Sequence, residues 1–491
     1  MTRLFASGIL ATLLFGCAVG PDYEPPQPED SVLYSAEAAS FSRAGIEAAW
    51  WRTFGDPVLD DLIDRALASD LDVRIAAARV RASRALFREQ SLDRWPAVTA
   101  DASYDRRKAQ QPGFTSTRIE SETYEVGFDA TWELDLFGRV QRGIEAARAQ
   151  SQAAQADLQA VQVSVAAEVA RTYLEMRGAQ RRQAVAIANR DNQAETVRIT
   201  RVRYELGRGT ELDLESANAR LAATEASIPP LLAAEQVSVH RLAVLLGEQP
   251  ATMHDMESLA ASNEASNTPL TVVPFAIGDP ATLLRRRPDV RGAERELAVA
   301  TARVGVATAD LFPRLSLSGF VGFITGDANA VGDSASNAWN VTPNLSWAAF
   351  DLGSVRARLR AAEAEADVQL AVYEQTVLRA LEETENSLVT YTHSLARLEA
   401  LRRQTTASQR AAELARIRYR EGAIEFLRQL DAERTVLEAQ DALAIAQTEL
   451  NTAMVAIYKA LGGGWEVAPP VAARANATAF TGSRRARDSG L

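Results

Sequence analysis

At 491 residues with a formal net charge of −11, the chain has room for about two to four ordinary domains and carries the wrong sign for a nucleic-acid partner. Aromatic residues make up only 7%, while Ala, Gln, Arg, Glu and Leu dominate the middle of each half, the composition of long helices. The three histidines, His240, His254 and His393, lie far apart without ligand spacing, so neither a metal site nor a cofactor is expected.

Residues 1–16 read as a lipoprotein signal peptide. Arg3 supplies a positive start, and Leu4 to Phe15 is an apolar run too short to span a bilayer as a helix. Leu14-Phe15-Gly16-Cys17 resembles a bacterial lipobox, in which the signal is cut before the cysteine and the thiol carries a lipid. Cys17 is the sole cysteine, so it cannot form an internal disulfide. Ala18 follows it, where an Asp would retain the protein at the inner membrane. Loss of Arg3 takes the net charge from −11 to −12. No other stretch is apolar enough for a transmembrane helix, so any crossing must be made by strands.

Residues 17–55 form an extended, lipidated N-terminal segment rich in proline (Pro21, Pro25, Pro26, Pro28). A first unit, 56–247, opens with helical spacing at Leu59, Leu62, Ile63, Ala66 and Leu67, running to about Leu92. Trp95-Pro96 stops that helix. The period then becomes two. Val98, Ala100, Ala102 and Tyr104 oppose Thr99, Asp101, Ser103 and Asp105. After a loop, Lys108 to Ser121, the alternation resumes from Tyr124 to Trp132. Two strands are expected over about 97–132, each the length that a tilted strand needs to cross a bilayer. A long helix from Arg139 to Tyr204 turns at Gly207 and returns, with a kink expected at Pro229-Pro230.

Residues 248–280, rich in Ser, Asn and Pro, link this unit to a second, 281–464. It repeats the order: a helix, strands over about 314–348, then a helix from Ser354 to Tyr419, about 100 Å long at 1.5 Å per residue. Gly462-Gly463-Gly464 reads as a helix stop. The tail 465–491 is expected to be disordered. The correspondence is detailed. Trp95-Pro96 answers Phe312-Pro313, Trp132 to Gly138 answers Trp347 to Gly353, and Arg203-Tyr204 with Gly207 answers Arg418-Tyr419 with Gly422. The offset stays near about 215 residues, which marks a tandem duplication.

Catalytic groups are missing from this inventory, so no enzyme is expected. A physical function follows instead. Four strands cannot close a barrel, and open edges are not tolerated in lipid. Two chains give eight strands with an interior filled by side chains; three give twelve and a wider lumen. Asp101, Glu125, Asp129, Thr342 and Asn344 would line it. At the far ends of the helices lie two turns, Tyr204 to Thr210 and Tyr419 to Glu425. Leu427 and Asp431, one helical turn apart, share a face. Rings of these residues on a symmetry axis would narrow the bore, while an ordinary solvated helix face is the other reading of the same spacing.

Several segments carry a family resemblance. They are Gly16-Cys17 with Val19-Gly20-Pro21-Asp22-Tyr23, Trp50-Trp51 with Phe54-Gly55-Asp56-Pro57, Trp132 to Arg139, Arg286-Arg287-Pro288-Asp289-Val290, and Phe312-Pro313. Together and in this order, the chain resembles the TolC-like outer-membrane efflux channels, in the NodT/OprM-type lipoprotein branch, from about Cys17 to Gly462. The resemblance implies a mixed α and β fold: a homotrimer with a 12-stranded transmembrane β-barrel, four strands per chain, continued by a long periplasmic α-helical barrel. It implies a passive, gated exit duct for small toxic compounds or drugs, lipid-anchored in the outer membrane. Its partners would be a periplasmic adaptor and an inner-membrane pump of the resistance-nodulation-division type. The adaptor-docking turns map onto Gly207, Gly209 and Gly422. The periplasmic gate maps onto Leu427 and Asp431, with Tyr419, Arg434 and Glu215 in tethering positions. Two rivals remain: the same fold serving type I protein secretion, and a periplasmic coiled-coil adaptor without a pore.

Overall fold

The structure, a computed structural model, describes residues 18–26, 35, 41–42, 45, 47–110, 117–252, 275–277 and 284–468. The signal peptide, Cys17, most of the 248–280 linker and the tail beyond residue 468 lie outside the described residues. In chain order the elements begin with a short strand β1 (Phe41–Ser42) and helices α1 (Pro57–Ser69) and α2 (Leu71–Leu92). Strands β2 (Ala97–Gln110) and β3 (Arg118–Leu134) follow, then helices α3 (Arg139–Glu205) and α4 (Glu211–Leu245). A short strand β4 (Phe275–Ala276) leads to α5 (Pro288–Ala309), strands β5 (Arg314–Thr325) and β6 (Asn337–Ser346), and helices α6 (Leu352–Arg420) and α7 (Phe426–Ala460). The order repeats as the sequence predicts.

The chain divides into two units. The first draws on Met1–Asp30, Ala78–Asp157 and Pro288–Ala380. It holds a four-stranded antiparallel sheet in the order β2-β3-β5-β6. The two hairpins of the duplicated halves are thus joined edge to edge through β3 and β5. The first hairpin is longer than its alternation predicts: the ladder runs through Lys108↔Glu120 to Gln110↔Arg118, residues expected in the loop. Cross-strand pairs explain the extension. Arg106 meets Glu120 at 2.6 Å and Lys108 meets the same carboxylate at 3.7 Å, and opposite charges facing across a ladder stabilise it.

The second unit draws on Ser31–Ala77, Leu158–Arg287 and Leu381–Leu491. Its core gathers the apolar stripe of α1 (Leu59, Leu62, Ile63, Leu67) with Val169 and Tyr173 of α3, Leu242 of α4, Leu388 of α6 and Ile457 of α7. Each fully buried Leu or Ile contributes roughly 1.5–3 kcal/mol. Asp56 starts α1: its carboxylate accepts from the Val58 amide at 3.0 Å and from the Tyr173 hydroxyl at 2.7 Å. Arg287 is buried and donates to the Ala460 carbonyl at the end of α7, 2.6 Å, and to Glu383, 2.7 Å.

Three sequence expectations change here. The helical pattern over 56–92 is two helices, because Asp70 has an extended backbone and its carboxylate accepts from the amides of Asp72 (2.8 Å) and Val73 (3.0 Å), capping α2. The N-terminal segment is more than extended chain. Trp50–Phe54 forms a 3-10 turn, both tryptophans are buried, and Trp50 stacks on Tyr458 at 4.9 Å. The proline-rich composition hid this, since two indoles bury enough apolar area to order a short segment. Finally, β4, inside the expected linker, pairs in parallel with β1. Helix α4 runs through Pro229-Pro230.

Candidate functional site

In the sheet, residues directly opposite one another share a face. One face carries Val98, Tyr104, Val126, Phe128, Val321, Trp339, Val341 and Leu345, all exposed in a single chain. The other carries Thr99, Asp101, Ser103, Glu125, Asp129, Ser318, Asn340, Thr342 and Asn344. A soluble hairpin would turn its apolar face to a core; among the described residues none covers this face. Among the described residues β2 pairs only with β3, and β6 only with β5.

Aromatic residues mark two levels of the sheet, one within the strands and one at the end that meets the helices. Tyr104 and Tyr124 face each other with ring centroids 4.8 Å apart. At the helical end the Trp132 indole donates to the Arg94 carbonyl, and the Trp347 indole to the Leu311 carbonyl, each at 3.0 Å. The duplicated halves therefore repeat a hydrogen bond as well as a residue type. Trp347 is exposed and Trp132 half-buried; an indole with its N–H satisfied and part of its ring in reach of lipid suits a membrane–water boundary.

The segment from Trp132 to Arg139 turns strand into helix. Arg139 pairs with Glu133 at 2.7 Å, the Asp135 carboxylate accepts from the Gln141 amide at 2.7 Å in the first turn of α3, and Gly138 takes φ +80°. Phe137 stacks on Phe312 at 4.6 Å. The residues after Cys17 lie against this junction. The Val19 amide donates to the Phe137 carbonyl at 3.1 Å. The buried Arg142 donates to the carbonyls of Val19 and Gly20 and meets Asp22 at 2.7 Å. Burial lowers the pKa of Arg142, but the hydrogen bonds to Asp22 and Glu145 outweigh it and raise the value above normal.

The two helical turns share one geometry. Gly207 has φ +68° and donates to Tyr204 at 2.9 Å; Gly422 has φ +73° and donates to Tyr419 at 3.0 Å. A left-handed residue closes each long helix, which glycine does without steric cost. Gly209 lies against the backbone of Tyr204. The return helices differ: Thr210 and Asp213 form a capping box at α4, whereas Glu425 makes no side-chain cap at α7.

The predicted gate residues lie just past these turns. Leu427 is 48% exposed. Asp431 and Arg434 come together at 3.0 Å within α7, and Glu215 accepts from Asn218 at 3.2 Å within α4. Tyr419 instead sits between the Arg203 guanidinium, 4.5 Å from its ring centroid, and the Phe426 ring at 5.3 Å. Arg220 donates to the Leu430 carbonyl at 2.8 Å. Around them Val197, Ala217, Phe426 and Leu430 form a small core. Sequence reasoning missed Arg203 and Phe426 as partners of Tyr419, although the repeated Arg-Tyr pair was the available signal.

The model of the family described as outer membrane efflux protein matches residues 62–248 and 280–463. The chain belongs to this family. It is 32% identical over 463 residues to outer membrane protein OprJ of Pseudomonas aeruginosa, covering 93% of this chain and 95% of that one. It is 31% identical over 466 residues to nodulation protein T of Rhizobium leguminosarum bv. trifolii, covering 94% and 97%. Among solved structures, the outer-membrane channel OprN is 49% identical, with a TM-score of 0.85 over 92% of this chain and 100% of that one. The family member described here is a TolC-like outer-membrane efflux channel, and its work is that of an exit duct across the outer membrane.

Proposed function

We propose that three copies of the chain form the passive, gated duct of a tripartite efflux system for small toxic compounds or drugs, with no catalytic chemistry of its own. The carrying observation is the sheet: an exposed apolar face and two outer edges that are unpaired among the described residues. In lipid those edges must be paired, and three four-stranded sheets supply a twelve-stranded barrel wide enough to keep a lumen. Its polar face lines the bore. Cys17 carries the lipid anchor, and the helices extend into the periplasm. The turns at Gly207, Gly209 and Gly422 dock a periplasmic adaptor, which joins the duct to a resistance-nodulation-division pump. Leu427 and Asp431 form the gate, tethered by Arg434, Tyr419 and Glu215.

Photocrosslinking in living cells from probes at Gly207 and Gly422, with mass spectrometry of the trapped protein, tests this reading. Capture of an efflux adaptor at both turns supports it. A secretion-type adaptor moves the cargo to proteins. An intact trimer that traps no adaptor overturns the docking assignment, and a chain that never shows heat-modifiable trimers overturns the assembly.

A further inference from the structure

Two large apolar residues of β5, Phe320 and Ile324, lie on the polar face of the sheet, and only Phe320 is buried there. Among the described residues of that face Phe320 is the only aromatic, opposite Asp129 on β3 and Asn340 on β6. It is 6% exposed, while its neighbour Val321, on the apolar face, is 56% exposed. The cover is local. Gly127 stands directly opposite Gly322, and the same row continues to Asp101 on β2 and Ala338 on β6. Three of these four residues have no side chain beyond a methyl group. A Cβ built on Gly127 would lie 2.5 and 2.7 Å from ring atoms of Phe320, and one on Gly322 would lie 2.8 Å from its Cζ. The ring therefore lies along the sheet and fills the space that the two glycines leave.

Neither glycine is among those with positive φ, so close approach and not a left-handed backbone is what each one serves. Glycine in a strand interior costs stability unless another group approaches closely. At Gly127 the nearest group is the Phe320 ring, while at Gly322 the Val126 carbonyl and the Gly127 Cα come closer than the ring does. A phenyl ring standing out from the wall would project into the centre; lying flat it adds little height.

We propose that Gly127 and Gly322 form a recess that holds the Phe320 ring against the wall, and so set the width of the duct within the membrane. This rests on the reading that the polar face lines the bore. The effect is separate from the periplasmic gate, because the recess lies in the sheet and the gate residues at the helical turns.

The test uses the full chain in intact cells, with Asn340→Cys as a reporter opposite Phe320. The unsubstituted chain, with Cys17 alone, gives the background. Two external probes are applied: a small maleimide, and a maleimide bearing a long polyethylene glycol chain. Both should label Cys at 340. Adding Gly127→Ala should slow the large probe several-fold and leave the small one unchanged, and the further change Phe320→Ala should restore the rate. Unchanged labelling by the large probe, or a loss that Phe320→Ala does not reverse, overturns the proposal. If Gly127→Ala prevents trimer formation, Phe320→Trp, too large for the recess, must give the same slowing. Labelling of Trp339→Cys but not Asn340→Cys would instead show that the faces are reversed, which overturns the reading beneath it.

Discussion

The Arg203 guanidinium lies over the ring of Tyr419, 4.5 Å from its centroid, and so joins α3 to α6 beside the two helical turns. Phe426 supports the ring from α7 at 5.3 Å. A partly exposed cation–π pair is worth about 0.5–1 kcal/mol, small beside the unit's core; under the proposed gate it is one of the contacts that would hold the duct closed. Arg203→Ala should raise the entry of a large antibiotic that the outer membrane normally excludes, with trimer levels unchanged. Tyr419→Leu should do the same, and the double variant little more, because the two act as one pair. Additive effects in growth-inhibition assays would show that they act separately.

The Asp431–Arg434 contact at 3.0 Å is exposed and lies within one helix. Such pairs contribute only about 0.3–0.5 kcal/mol. Asp431→Ala and Arg434→Ala should therefore leave the melting temperature nearly unchanged while increasing antibiotic leak. A fall in stability without leak would place both residues on an ordinary solvated face.

Arg142 carries the segment after Cys17. Its side chain is 5% exposed and holds two carbonyls and Asp22. Gly305 allows this approach, since a Cβ there would lie 2.8 Å from the Arg142 side chain. Arg142→Ala should destabilise the folded protein by about 1–3 kcal/mol, the cost of stripping buried hydrogen bonds. Heat-modifiable migration should shift to lower temperature, and limited proteolysis should cut near Tyr23 first. Undisturbed migration would mean that the segment is held by other contacts.

The polar face carries Asp101, Asp105, Glu125, Asp129 and Glu133 against Arg107 and Arg314. In a lumen this charge attracts cations. Planar-bilayer recordings of the trimer should show cation selectivity, weakened by Asp101→Asn with Asp129→Asn. Selectivity that survives both changes would assign it to the helical end of the duct.

Trp50 stacks on Tyr458 in the core of the second unit. Trp50→Ala should cost about 3–5 kcal/mol, as for other large core truncations. The amount of trimer recovered from membranes should fall accordingly.

The amino-acid sequence by itself determined the duplication, the strand pairs, the long helices and the turns between them. These are local matters of period, proline and glycine: Pro96 and Pro313 mark the helix stops, and Gly207 and Gly422 close the long helices. The sheet's two faces were legible for the same reason in β2, β3 and β6, while β5 breaks the alternation at Phe320 and Ile324. Tertiary structure alone decided which elements meet. The joining of β3 to β5, the pairing of β1 with β4, the burial of Trp50 and the seating of Tyr419 under Arg203 link residues far apart in the chain. The Phe320 recess belongs with these: a strand pattern reads glycine as a weakness, and only the register of two strands places Gly127 opposite Gly322 under one ring. Contacts of that kind depend on strand register and helix packing across hundreds of residues, which local periodicity does not encode.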